Sequence, residues 1–391
     1  MSLADGGQPL RIAILNRFAP PDGAPTARAA AELARDLAAA LPRAEITLYA
    51  SEARYAADAA PPAEPDWPTR RVPSLYAGKW PPARLLASLI EGSTLARLAA
   101  RAADVVISLT DPPLLSLWTG PACRRQGRRW IEWSLDRYPD FFAAAGLVGE
   151  DNPLYRLLVR HDAALQPDAV IGLGAGQLRH LAARRGSLPP AVILPVGLVS
   201  PPVEPAPEPD SGSPLTLVYA GTLGEAHDPE PLVALVGRAD PARFRFLIAA
   251  RGRHAAGLRR RLAGHPAVSW RDRLATADLA RAAAHLVSLA PRALHLSVPS
   301  KAVTAIALGR PFLFAGPAEA DSWQELGEAG WLIPPRPGGL ADAAAIDAAL
   351  LGLADPAAHA ARAAAARRLA RELQERRSAA ISALAAMIAA W

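Results

Sequence analysis

A chain of 391 residues is longer than one ordinary core, and at about 150 residues per domain it is expected to form two. Apolar residues at 51% and charged residues at 20% describe a globular protein, and no apolar run reaches the roughly 18 residues that a membrane-spanning helix needs. The opening MSLADGGQPL lacks the pattern of a signal peptide, and the single cysteine, Cys123, excludes a disulfide framework or a thiolate metal cluster, so a cytoplasmic protein is expected.

The formal charge of +6 comes from 43 basic and 37 acidic residues, spread as 22 and 19 over residues 1–200 and as 21 and 18 over the rest. No basic tail or stripe marks a nucleic-acid binder. A mildly positive surface still favours an anionic partner, such as a nucleotide or an acidic lipid face. Of the basic residues only Lys79 and Lys301 are lysines.

Short apolar runs alternate with longer Ala/Leu/Arg segments at helical spacing. Strands are predicted at 11–16, 45–50, 104–109, 129–135, 168–173 and 191–196, with helices at 26–41, 83–102, 113–126 and 174–186. Residues 200–214, SPPVEPAPEPDSGSP, have no periodicity and read as a proline-rich linker. The alternation then restarts, with strands at 215–221, 243–250, 267–270, 285–290, 311–316 and 330–334, and one or two helices over 356–390. Such alternation is the mark of parallel sheets covered on both faces. The fold class is therefore α/β, with two doubly wound Rossmann-like domains facing across a cleft: 1–199, the linker at 200–214, and 215–391. The last helices are free to pack back on the first domain. Ligand is expected between the lobes, outside the carboxyl ends of the strands, with closure on binding.

Several familiar sites are missing. GLGAGQ (172–177) follows a strand and opens a helix, but Gln177 replaces the last glycine of a dinucleotide fingerprint and no acid falls near residue 196, so a tight turn is the better reading. There is no Walker sequence, HExxH, DxD pair or GxSxG elbow, and no metal site is expected.

Other segments carry chemistry at predicted strand exits. NRFAPPDGAPTARAA (16–30) sets Gly23 in a loop that feeds a helix, and DVVISLTDPP (104–113) sets Asp111 just past a strand. RWIEWSLDRYPD (129–140) runs Trp130 and Trp133 out into Asp136, Arg137, Tyr138 and Asp140, groups suited to hydroxyl recognition or proton acceptance, or to a solvated turn. Asp136, first out of the strand, is the stronger candidate. In VYAGTLGEAHDPEPL (218–232), Gly221 and Gly224 permit close backbone approach. In HLSVPSKAVTAIALGRPFLFAG (295–316), Ser297 is expected to cap a helix whose first turn holds Pro299, Ser300 and Lys301 and whose end is Gly309. Amide donors, a hydroxyl and an ammonium at one helix start make a phosphate cradle. Separately, residues 76–104 join Lys79, Trp80 and Arg84 to an apolar helix face, as an interfacial membrane segment or a buried core helix would.

These residues together resemble the GT-B glycosyltransferases, specifically the retaining family 4 type, over nearly the whole chain. The resemblance rests on APPDGAPT followed by ELARDL, on SLTDPP, on D-x-YP at 136–139, on YAGTLGEA, and on VPSK with ALGRP followed by AGW. VPSK with ALGRP resembles the branch that builds bacterial exopolysaccharide and lipopolysaccharide sugars. It implies a metal-independent transferase that moves a sugar, with retained configuration, from a nucleotide diphosphate, usually UDP, to a glycan or lipid-linked acceptor. No cofactor is implied, because the nucleotide sugar is a substrate, and peripheral contact with the inner face of the membrane is compatible with it. Gly221, Thr222, Ser300 and Lys301 are then expected at the diphosphate, with Lys301 catalytic. Gly23, Asp111, Asp136 and Asp140 are expected on the acceptor side, with Asp136 orienting the acceptor hydroxyl.

The chain departs from the family where two glutamates eight residues apart are common; Leu296 and Thr304 stand there. The loop after Gly221 offers Thr222 and His227 where Arg and Lys are frequent. Arg253, or Arg251, Arg271 or Arg273, is the candidate for the missing charge, and Glu325 or Glu319 for the missing carboxylate. An epimerase of the same fold and a silent nucleotide-sugar-binding scaffold are the rival expectations.

Overall fold

The computed structural model describes residues 8–52, 67–74, 81–197, 214–337 and 341–391. The expected linker, apart from Pro214, and the candidate anchors Lys79 and Trp80 lie outside them. The chain divides into two compact units: residues up to Leu194 with Arg377–Trp391 form the first, and Pro195–Arg376 the second.

The first unit is built on β1 (Arg11–Leu15), β2 (Glu45–Ser51), β3 (Thr69–Val72), β4 (Val105–Ser108), β5 (Arg129–Trp133), β6 (Ala169–Gly172) and β7 (Ala191–Ile193). All pair in parallel, in the order β3-β2-β1-β4-β5-β6-β7. The register sets Ile12 between Ile46 and Val105, so β1 is an interior strand and needs apolar residues toward both faces. Its helices are α1 (Pro25–Ala40), α2 (Pro81–Ala102), α3 (Leu115–Gln126), α4 (Asp140–Ala144), α5 (Pro153–Ala163) and α6 (Ala175–Arg185). Trp130 and Trp133, read as strand residues leading to a site, are core: they are buried, and the Trp130 indole donates to Ser108 Oγ at 2.9 Å. A Cβ at Gly120 of α3 would stand 2.8 Å from the Trp130 ring, so that glycine lets α3 seat on β5.

Two elements differ from expectation. β3, TRRV, carries two exposed arginines and no apolar alternation; it is an edge strand held by its pairing with β2 and by the Trp67 indole on Ile46 O at 3.1 Å. α5 begins at Asn152-Pro153, where the Asn152 carboxamide accepts from the Leu154 and Tyr155 amides, a start signal the strand-centred reading passed over.

The second unit holds β8 (Leu215–Thr222), β9 (Phe244–Arg251), β10 (Val268–Trp270), β11 (Ala284–Ser288), β12 (Phe312–Ala315) and β13 (Gly330–Ile333), again all parallel, in the order β10-β9-β8-β11-β12-β13. With them are α7 (Glu230–Arg238), α8 (Ala255–Arg261), α9 (Thr276–Arg281), α10 (Ser300–Ala307), α11 (Asp321–Leu326), α12 (Ala343–Ala354) and α13 (Pro356–Ala389). Leu217, Tyr219, Phe246, Ile248, Leu286 and Trp331 are at the centre of its core. The end of α13 belongs to the first unit, where Arg377 Nη2 meets Asp36 Oδ2 at 2.6 Å.

Strand order reverses between β1 and β4 in the first sheet and between β8 and β11 in the second. Loops that leave neighbouring strands in opposite directions open a crevice at such switch points.

Candidate functional site

In the second unit the switch-point loop starts at Gly221, whose φ is +122°. A Cβ there would stand 3.2 Å from Lys301 Cε, so backbone conformation and the packed lysine stem both call for glycine. Lys301 lies in the first turn of α10 and reaches back to this loop. Its ammonium donates to Thr222 O at 3.0 Å, lies 3.2 Å from His227 Nε2, and sits 5.2 Å from the Tyr219 ring centroid. Among the described residues it has no carboxylate partner. Burial lowers its pKa to about 8, because an ammonium stripped of water and lacking an anion is costly to keep charged.

His227 is pressed from both sides. Gly224 N lies 3.3 Å from Nδ1, and the ammonium faces Nε2. A neutral imidazole has one accepting nitrogen, so it cannot accept from both while Lys301 is charged. Burial first, and the ammonium second, hold this histidine well below its ordinary pKa, which keeps it neutral. The loop is fixed by Ser288 at the end of β11, which accepts from Asp228 N at 3.0 Å and donates to Asp228 O at 2.8 Å.

α10 is capped differently from expectation. Pro299, not Ser297, is the N-cap residue, and no side chain accepts from the first amides. A proline at the cap has no side-chain oxygen to offer, so those amides and the positive end of the helix stay available to an anion. Ser300 opens the helix, and Gly309 ends it at φ +66°. Thr304, at one of the family's glutamate positions, donates to Gly197 O at 2.7 Å, and Leu296, at the other, is buried. Beside the loop, at the ends of β11, β12 and β13, Asp228, Leu289, Pro291, Gly316, Ile333 and Arg336 help line a small hollow of about 80 Å³.

Gly221, Thr222, Ser300 and Lys301 are thus gathered. Arg253 reaches the rim of the same loop, but its guanidinium is paired with Glu225 at 2.6 Å. Glu325, on α11, lies 3.9 Å from Arg376 and is not brought to Lys301. Sequence reasoning missed Tyr219 and Ser288; both looked like ordinary strand residues.

The first unit gathers a different set. Arg17 N donates to Asp111 O at 2.6 Å, joining the loops after β1 and β4, and Asp136 N donates to Thr110 Oγ1 at 3.2 Å, joining those after β4 and β5. Burial raises the Asp111 pKa to about 6; Arg17 opposes this, while Asp136, Glu91 and Asp22 add to it. Burial, then Asp136 and Asp111, push Tyr138 well above the usual phenol range. Two carboxyls and a phenol therefore share one neighbourhood. Arg17 Nη2 is 3.0 Å from the buried Glu91, which the sequence gave no reason to place here. Gly23 is exposed, and a Cβ there would meet nothing within 4 Å.

Asp140 is held elsewhere. As the first residue of α4 it pairs with Arg184 and accepts from Tyr155 OH at 3.3 Å. Arg137 lies in a buried ionic layer, where it and Arg185 each bridge Glu132 and Asp162. Among the described residues no three His, Cys, Asp or Glu side chains gather as a metal-binding set, and no helix is long and apolar enough to cross a membrane.

No protein-family model matches the chain, and no curated protein does. Solved structures do. A sucrose-phosphate synthase from Thermosynechococcus elongatus is similar over 96% of this chain and 98% of its own, at 16% identity and a TM-score of 0.70. WaaG, a glycosyltransferase involved in lipopolysaccharide biosynthesis, is similar over 96% and 99%, at 14% and 0.67. A UDP-forming α,α-trehalose-phosphate synthase from Burkholderia xenovorans is similar over 97% and 99%, at 14% and 0.62. At such identities the likeness shows a shared fold, that of the GT-B glycosyltransferases.

Proposed function

We propose that this chain is a retaining glycosyltransferase that needs no metal, taking its sugar from a nucleotide diphosphate, UDP in the first instance, and giving it to a glycan or lipid-linked acceptor. The observation that carries this reading is Lys301: an ammonium with no carboxylate partner among the described residues, set against Gly221 and the uncapped start of α10. A diphosphate would supply the missing charge. As the bond from the anomeric carbon to the phosphate oxygen breaks, its electron pair moves onto the leaving diphosphate, and donors already in place stabilise that charge. The acceptor oxygen bonds the anomeric carbon on the same face, and its proton passes to a phosphate oxygen. Asp136, with Asp111 beside it, orients the acceptor hydroxyl and is not itself the nucleophile. One solved neighbour named as a glycosyltransferase supports the reaction, and another, a trehalose-phosphate synthase named as UDP-forming, supports the base.

A second reading has its own observation. Thr304 is tied to Gly197 O and Leu296 is buried, so no carboxylate stands at either position to hold a donor sugar. A scaffold that binds nucleotide sugar without transfer would look the same. Nucleotide release from UDP-sugars over an acceptor panel separates the two, and thermal shifts with UDP, GDP and ADP test the base. Lys301→Ala is expected to lose affinity for the diphosphate and about a hundredfold or more in turnover. Unchanged binding and turnover in that variant would sink the assignment.

A further inference from the structure

Behind the loop that follows β5 in the first unit lies a layer of charge that the proposed reaction does not use. β5 brings Glu132 to it, α5 Asp162, α6 Arg185, and the loop itself Arg137. Arg137 reaches Glu132 at 3.3 Å and Asp162 at 2.8 Å, and Arg185 reaches the same two at 2.6 and 3.2 Å. From α3, Ser116 Oγ donates to Glu132 Oε1 at 3.1 Å. None of the four charged side chains is more than 3% exposed, and two guanidiniums balance two carboxylates. Burial works against an ionised Glu132, but Arg185 and Arg137 outweigh it and hold the carboxyl below its usual range. The layer is ionic.

Stability alone is a weak reason for it. Desolvating four charges costs about what their attraction returns, and apolar side chains of similar volume commonly serve as well. Arg137 Nε is also buried without an acceptor, a further loss. What the layer does fix is the course of the loop. Leu135, Arg137 and Pro139 are buried, while Asp136 and Tyr138 between them are half-buried. Drawing the Arg137 side chain into the layer thus keeps its two neighbours out of the core. Asp136, Tyr138 and Thr110 line one small hollow with Glu132, Arg137 and Asp162, so the layer stands directly behind the crevice. The backbone is pinned on both sides of the Asp136 peptide. Gln177, fully buried, donates to Leu135 O at 3.1 Å, and Asp136 N donates to Thr110 Oγ1 at 3.2 Å, next to Asp111.

We propose that the Glu132–Arg137–Asp162–Arg185 layer is the positioning device of this crevice, and that Arg137 is the positioning residue that sets Asp136 and Tyr138 beside Asp111 for an acceptor hydroxyl. The inference rests on the transferase reading for its chemistry. A planar fork bridging two carboxylates fixes direction, which an apolar contact of equal strength does not.

Two variants of the full chain test it. Glu132→Leu, Arg137→Met, Asp162→Leu and Arg185→Met together make the layer apolar, whereas Arg137→Lys keeps the charge and loses the fork. Hydrogen exchange at the amides of residues 135–138 should quicken about tenfold or more in the fourfold variant and by less in Arg137→Lys. With UDP-glucose and the acceptor that the parent uses best, the acceptor KM should rise about tenfold or more, while affinity for UDP stays parental. The melting temperature of the fourfold variant should hold or rise. Parental exchange and acceptor KM in that variant overturn the proposal, because a packing role alone predicts them. If it does not fold, parental exchange and KM in Arg137→Lys overturn it instead. A parent that moves no sugar to any acceptor sinks the transferase reading; exchange needs no substrate and then decides the positioning role by itself.

Discussion

The crevices of the two units are built on the same strand-order reversal and filled with opposite charge. In the second unit one cation meets no carboxylate among the described residues; in the first, carboxyls crowd one another with Arg17 as their partial relief. Each arrangement is costly by itself, and under the proposed function each has its own ligand: a diphosphate at Lys301, and at Asp111 and Asp136 an acceptor hydroxyl to be oriented. Stability and function pull apart at both places, by different groups.

The largest expected effect breaks that comparison at the cation. Lys301→Ala should cut turnover about a hundredfold or more, whereas Asp111→Asn, which keeps the hydrogen-bonding shape, should cost far less. Lys301→Arg should rescue only in part, since a planar fork replaces a point charge. Next, Gly221→Ala adds a methyl at φ +122° against the lysine stem, and nucleotide affinity should fall about tenfold, as expected when a residue with a side chain is forced into that conformation. Titration calorimetry measures both.

The smaller effects depend on pH, and the two crevices differ in sign. Lys301 titrates near 8 in the fold against an ordinary 10.5, so nucleotide affinity should decline as pH rises through about 8, and Lys301→Arg should remove that decline. Its stability contribution is present above 10.5 and lost as pH falls through 8, so Lys301→Met should raise the melting temperature of the nucleotide-free protein at neutral pH. Asp111 titrates near 6 against an ordinary 3.8: the proton is held more tightly in the fold, and stability is full below 3.8 and lost as pH rises through 6. Asp111→Asn should therefore raise the melting temperature by a few degrees at pH 7.5 and leave it unchanged at pH 3.5, a comparison that differential scanning fluorimetry can make. An equal shift at both pH values would mean that charge is not the cause.

Much of this was legible because parallel strands buried on both faces leave continuous apolar runs such as DVVISL and PFLFAG. β3 was not, since TRRV owes its place to an edge and not to a core. Lys301 stood out as a lysine in an arginine-rich chain, and Gly221 as a glycine ending a strand. Asp140 misled: four residues beyond Asp136 in sequence, it starts α4 and turns toward Arg184. Arg253 and Glu325 answer only to gaps in a resemblance, and no local pattern in the sequence supports them. What pairs a lysine with a carbonyl and an imidazole 79 and 74 residues away is tertiary, and no spacing within a segment encodes it.

Residues 377–391 return to the first unit, where Ile381, Leu384 and Ile388 are buried and Arg377 meets Asp36. In genetic terms this makes Pro195–Arg376 an insert: one uninterrupted cassette, carrying the whole Lys301 crevice and entered and left at two junctions. Exchanging that cassette between relatives of this fold would transplant the proposed phosphate site in a single recombination and leave the helices of the first unit behind. A chain cut at residue 376 would lose part of the other unit, so deletions there should be felt first in the carboxyl crevice.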